Sequence, residues 1–94
     1  MSLQSPIINN KQASRFETEI NGEWAYVNYG HFKDGMSLLY VFVPVAARGR
    51  GISSELSKFA LEYIKEHKLK LRVYCSVIAR YINTHPEYQE LLNE

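Results

Sequence analysis

The stretch from Ser37 to Lys65 constrains this chain more than any other part of it. Leu38-Leu39-Tyr40-Val41-Phe42-Val43 is an unbroken apolar run, rich in aromatic and β-branched residues and bounded by Gly35 and Pro44. Such a run reads as a central strand covered on both faces. Pro44 to Gly51 holds one proline, two glycines and two arginines and cannot be regular. From Ile52 the period becomes helical. Ile52, Leu56, Phe59, Ala60, Tyr63 and Ile64 form an apolar stripe, with Glu55, Lys58, Glu62 and Lys65 turned to water. A helix starting directly after such a loop presents amides that have no intrahelical partner, and its dipole favours negative charge at that end. Gly49 and Gly51 allow close backbone approach, Arg48 and Arg50 add charge, and Ser53 and Ser54 add hydroxyl donors. The loop therefore reads as an anion site. It lacks the third glycine of a dinucleotide fingerprint and the Gly-Lys-Ser/Thr of a Walker A loop.

The flanking segments supply a sheet for that loop. Residues 1–13 are polar and aperiodic and read as a loose lead-in, leaving residues 14–94 as a single domain. Phe16, Thr18 and Ile20 alternate along a first strand, and Asn21-Gly22 is a strong hairpin signal before a second strand from Glu23 to Phe32. Lys33-Asp34-Gly35 makes the next turn. After the helix, Leu69, Leu71, Val73 and Cys75 alternate with Lys70, Arg72 and Tyr74 as a further strand. Ser76 can cap a short helix with Val77, Ile78, Tyr81 and Ile82 on its apolar side. Pro86 suits the first turn of a last helix that buries Tyr88, Leu91 and Leu92. The expected order is β-β-β-α-β-α-α: an antiparallel meander, then a right-handed crossover between parallel strands. This is a mixed α/β (α+β) sheet with helices packed on it.

Composition removes several classes of function. The 94 residues carry a net charge of +1, which gives no case for nucleic acid. A single cysteine excludes an intrachain disulfide, and no Cys/His spacing suits a metal. No apolar run approaches a membrane span, and no signal pattern opens the chain, so a reducing cytoplasm is the expected location.

The segment Val43-Pro44 through Arg48-Gly49-Arg50-Gly51-Ile52-Ser53 resembles the acyl-coenzyme A pyrophosphate motif of the GNAT superfamily of N-acetyltransferases, Arg/Gln-x-x-Gly-x-Gly/Ala. Ser53 stands where that motif ends in Gly or Ala. Cys75, Ala79, Tyr81-Ile82 and His85-Pro86-Glu87-Tyr88 are similar to the small single-domain branch of the superfamily, and the resemblance spans roughly residues 14 to 92. That branch often has a His-Thr pair in its central strand, where this chain has Tyr40-Val41. The resemblance implies an acyl-CoA N-acyltransferase-like fold, acetyl-CoA as cofactor and a small-molecule or protein amine as acceptor. It implies that the strands flanking the crossover part at their ends, with the pantetheine arm against the backbone of Phe42 and Val43. It places Cys75 near the thioester as a catalytic candidate, and Tyr81 as a proton donor to the leaving thiolate.

Those two residues also have plain structural readings. A lone cysteine in an alternating strand is usually a small buried hydrophobe, although a position before a helix N-terminus can favour thiolate. Tyr81 reads equally as a core tyrosine on an amphipathic helix. His85 reads as a turn cap satisfied by backbone, and His31 and His67 as turn and helix-end residues. The contrast to an acetyltransferase is a module that binds coenzyme A or an acyl form of it without turnover. The absence of the longer segments that commonly shape an acceptor pocket favours the latter.

Overall fold

The computed structural model describes residues 6–92. Five strands form one sheet in chain order: β1 (Ile8–Asn10), β2 (Arg15–Ile20), β3 (Glu23–Phe32), β4 (Gly35–Phe42) and β5 (Lys70–Val73). The first four pair antiparallel; β4 and β5 pair parallel and are joined by helix α1 (Ile52–Glu66). Helix α2 (Ser76–Thr84) and a 3-10 segment (Pro86–Leu91) complete the chain. This is the expected mixed α/β architecture, with the crossover where the change of period placed it.

Local chemistry explains the connections. Asn21 and Gly22 both have positive φ, 52° and 82°, as the two-residue turn matching the twist of a hairpin requires. At the next hairpin Phe32 faces Gly35 across the turn. A Cβ at Gly35 would run into the Phe32 ring and lie 2.8 Å from the Lys70 carbonyl oxygen, so only glycine lets β3, β4 and β5 meet there. Helix α1 ends in a Schellman arrangement. The Leu69 amide donates to the Ile64 carbonyl at 3.0 Å and the Lys68 amide to Lys65 at 3.2 Å, with Lys68 left-handed at φ 54°.

One sheet face carries the core. Phe16, Val27, Leu38 and Leu71 bury completely against Leu56, Ala60, Leu61 and Ile64 of α1, with Ile78 and Ile82 of α2 in the same cluster. Phe16 is the centre of its aromatic part, with ring centroids 4.9 Å from Tyr29, 5.4 Å from Phe59 and 5.1 Å from Tyr63. On the opposite face Arg15 lies over the Tyr26 ring, Tyr26 sits against Phe42 and Arg72 lies over Phe32.

Four expectations are corrected. The lead-in is not loose over Ile8–Asn10, which pairs with Arg15–Glu17; Tyr29 Oη donates to Asn9 Oδ1 at 2.6 Å and Asn10 Nδ2 to Glu17 Oε2 at 3.1 Å. Strand β4 is not covered on both faces, since Leu39 is 43% and Tyr40 53% exposed. Cys75, not Ser76, is the residue before α2, and no side chain caps that helix. The last helix is 3-10 and buries Tyr88, while Leu92 is exposed.

Candidate functional site

The register of β3 against β4 shifts between Asn28 and Tyr29. Asn28 faces Tyr40 but Tyr29 faces Leu38, so β4 carries one extra residue. A bulge of this kind bends its strand and breaks the alternation of faces. Leu38 and Val41, three apart, are both buried, while the two residues between them are exposed. On the other side, the pairing of β4 with β5 ends at Leu38 and Val73, followed by one bond from the Tyr74 amide to the Leu38 carbonyl at 2.9 Å. Past that point β4 runs on to Phe42 without β5. The two parallel strands part, and the end of β4 is left with an unpaired edge.

Directly beyond this opening the chain makes a 3-10 turn over Val45–Ala47, pinned by the Ala47 amide to the Pro44 carbonyl at 2.9 Å. Arg48 Nε donates to the Val43 carbonyl at 3.0 Å and ties the loop back to the strand end. Gly49 (φ 82°) and Gly51 (φ 76°) both take left-handed backbone, with open space where a Cβ would stand. Conformation, not crowding, explains glycine at these two positions. Gly51 is the residue before α1, and no side chain there bonds the first helical amides.

Strand edge, loop and helix start enclose a cavity of about 290 Å³. Phe42, Val43, Arg48, Gly49, Gly51, Ile52 and Ser53 line it, all of them expected from the sequence. Tyr40, Val41, Ala47 and Val77 line it as well and were not expected, because only tertiary packing brings them there. Arg50 is exposed and does not line the cavity, nor does Ser54.

A second cavity of about 240 Å³ lies in the groove between α1 and α2 and shares Ser53 and Val77 with the first. Ser54, Ser57, Arg80, Tyr81, Thr84 and His85 complete it. The Ser57 hydroxyl donates to the Ser53 carbonyl at 2.8 Å. The Tyr81 and His85 rings stack with centroids 3.9 Å apart, and His85 Nδ1 lies 2.9 Å from the Tyr81 carbonyl and 3.0 Å from Thr84 Oγ1. His85 therefore has the backbone-satisfied place its sequence position indicated. Burial raises the Tyr81 pKa first, and Glu87, Glu55 and Glu62 raise it further, so its hydroxyl stays protonated.

The two catalytic candidates do not meet in the first cavity. Tyr81 lines only the second. Cys75 lines neither; it is 7% exposed and belongs to the hydrophobic core. The physical reason lies in the helix that follows. Cys75 turns inward with Ile78 and Ile82, and it is Val77 that meets the opening between the strands.

Residues 15–91 match the sequence family described as GCN5-related N-acetyl-transferase. Protein NATD1 of Mus musculus is 35% identical over 89 residues, covering 89% of this chain and 81% of its own length. The Homo sapiens protein of the same name is 34% identical over 89 residues, covering 89% and 79%, and that of Danio rerio 30% over 95 residues, covering 96% and 86%. The parted parallel strands, the glycine loop at the start of α1 and the match across nearly all of the sheet and helices agree, and the chain belongs to the GCN5-related N-acetyltransferase family.

Proposed function

We propose that the chain binds acetyl-CoA in the first cavity and transfers the acetyl group to a primary amine. The observation that carries this reading is the junction of an unpaired strand edge with an uncapped helix start, in a member of this family. The donor set fits the cofactor. The strand end at Phe42 and the Val43 amide, next to the Val43 carbonyl that Arg48 occupies, suit the amides of a pantetheine arm. The amides from Gly51 onward and Arg48 suit a pyrophosphate in the cavity, with Arg50 adding positive charge from outside it. In the transfer, the amine nitrogen would attack the thioester carbonyl carbon, the carbon–sulfur bond would break, and the proton lost by nitrogen would pass through water to the departing thiolate, giving the amide and free coenzyme A.

Because Cys75 lines neither cavity, the reading is direct attack by the amine rather than an acyl-cysteine intermediate. A second reading has a specific observation in its favour: no Asp, Glu, His or Cys lines the first cavity. A site without a base suits a module that holds acyl-CoA and does not turn it over.

The two steps are tested separately. Coenzyme A at millimolar concentration raises the melting temperature, because a ligand of the native state alone stabilises it. Gly51→Val, which forces a β-branched residue into left-handed backbone, diminishes that rise. No rise at all would end both readings. Release of free coenzyme A from acetyl-CoA in the presence of an amine panel marks the transferase; binding without release marks the module.

A further inference from the structure

Among the described residues, α1, α2 and the 3-10 segment pack together into one hydrophobic cluster, on one side of the sheet. The opposite face is bare. Trp24, Leu39 and Tyr40 are exposed on it, with Tyr26 and Phe42 half-buried between them. Aromatic side chains gathered on an uncovered face mark a surface that meets another molecule. The domain measures 37 × 30 × 20 Å and this face is one of its broad sides, large enough for the ~800 Å² that each partner gives to a standard interface.

The strand registers set the face in rows: Glu19–Trp24, then Glu17–Tyr26–Phe42, then Arg15–Asn28–Tyr40, then Gly30–Ser37–Arg72. The carboxylate in the middle is already engaged, because Glu17 accepts from both Arg15 and Asn10. Two unspent charges stand at opposite corners. Glu19 is exposed on β2 and has no hydrogen bond or ion pair among the described residues. Arg72 is exposed on β5, without an ion pair, its guanidinium 4.0 Å from the Phe32 ring centroid. Arg72 lies three strands and three rows from Glu19, and Tyr40 lies one strand and one row from Tyr26, along the same diagonal and about the same midpoint. A twofold axis lying in the face, through that midpoint and across the diagonal, therefore exchanges both pairs at once. It brings Glu19 of each copy to Arg72 of the other, and Tyr26 of each copy to Tyr40 of the other. Such a surface is self-complementary, as an isologous dimer requires, whereas a face of one sign would repel its copy.

We infer that the bare sheet face is the interface of a twofold homodimer, in which Glu19 pairs with Arg72 of the second copy on either side of a centre made by Tyr26 and Tyr40. Tyr40 and Phe42 also line the first cavity, so the second copy gives that cavity an outer wall. The inference does not depend on which ligand the cavity takes.

Sedimentation equilibrium on the full chain tests it. The unsubstituted protein is expected to be a dimer at about 100 μM. Glu19→Arg and Arg72→Glu each set like charges against one another at both ends of the interface and are expected to weaken self-association by at least about tenfold. The double variant Glu19→Arg/Arg72→Glu restores opposite signs and is expected to dimerise within about threefold of the unsubstituted chain. Both positions are exposed, so each single variant is expected to keep its cooperative urea unfolding. Glu19→Arg, remote from the contact of Arg72 with Phe32, carries the test alone if Arg72→Glu loses stability. A monomeric unsubstituted chain, a dimer indifferent to the single changes, or a folded double variant that stays monomeric overturns the inference. A monomer that instead binds a peptide or a single-stranded nucleic acid on this face overturns it equally. None of these results bears on the acyl-CoA reading, which stands or falls with the coenzyme A melting shift.

Discussion

Two glycines show how much a single Cβ decides. Gly35 lies where Phe32, β4 and β5 converge, and an added methyl would strike the Phe32 ring and the Lys70 backbone. Gly30 has only Leu39 Cδ1 near, at 3.8 Å, an ordinary contact. Gly35→Ala is therefore expected to cost about 1–3 kcal/mol, while Gly30→Ala is neutral or stabilises by up to about 1 kcal/mol; urea unfolding of the two variants side by side checks the contrast. Cys75 is the other instructive position. If it only packs, Cys75→Ala leaves a small void and lowers the melting temperature by a few degrees, about 1 kcal/mol. The rise in melting temperature produced by coenzyme A stays as it was, and any turnover stays within about threefold. A collapse of turnover with binding preserved would restore the acyl-cysteine route. The glycines of the loop were legible in the sequence because positive φ leaves few alternatives. The inward turn of Cys75 was not, since an alternating strand reads the same whether its last residue faces a ligand or a neighbouring helix.

The elements were legible where one period dominates. The stripe on α1 needs only its own residues, and its buried set includes Ile52, Leu56, Ala60 and Ile64 as read, with Ser57 and Leu61 widening it. Strand β4 defeats the same method. Six apolar residues in a row are equally compatible with cover on both faces and with a bulge, and only the register against β3 distinguishes them. The short strand β1 has no period to read in three residues, and its place comes from Tyr29, Glu17 and Arg15 on neighbouring strands. The C-terminal end of α1 allows a direct test of element energetics. Lys68 sits in left-handed backbone at the position where glycine is favoured, and it is exposed. Lys68→Gly is expected to stabilise the domain by about 0.5–1 kcal/mol, read as a higher urea midpoint with an unchanged slope.

At the scale of the whole molecule, the C-terminal segment is fastened to α1 through one buried tyrosine. Tyr88 Oη donates to Glu62 Oε2 at 2.6 Å, and Tyr88 is buried. Burial first, then this bond and the nearby carboxylates, push the Tyr88 pKa well above the ordinary tyrosine value. Tyr29 and Tyr81 are raised too, chiefly by burial. A raised folded-state pKa stabilises the protein fully below the unfolded value near 10, and that stability is lost as pH climbs through the folded value. The urea midpoint is thus expected to fall above pH 10. Tyr88→Phe loses about 1.5 kcal/mol at pH 8 and falls less steeply beyond pH 10. A decline as steep as that of the unsubstituted protein would show that this tyrosine does not carry it. Among the described residues no helix is long and apolar enough to cross a membrane.

The extra residue in β4 has one more consequence. The bulge against β3 lies where the pairing of β4 with β5 ends, at Leu38 and Val73, so the parting of the strands is part of the fold itself. A molecule entering the gap has no ladder to unzip and no ordering entropy to supply on the protein's behalf. On the acyl-CoA reading proposed above, docking at such a preorganised edge is expected to be governed by encounter rather than by a slow conformational step, so that differences in affinity among acyl chains reside in how long they stay, not in how quickly they dock.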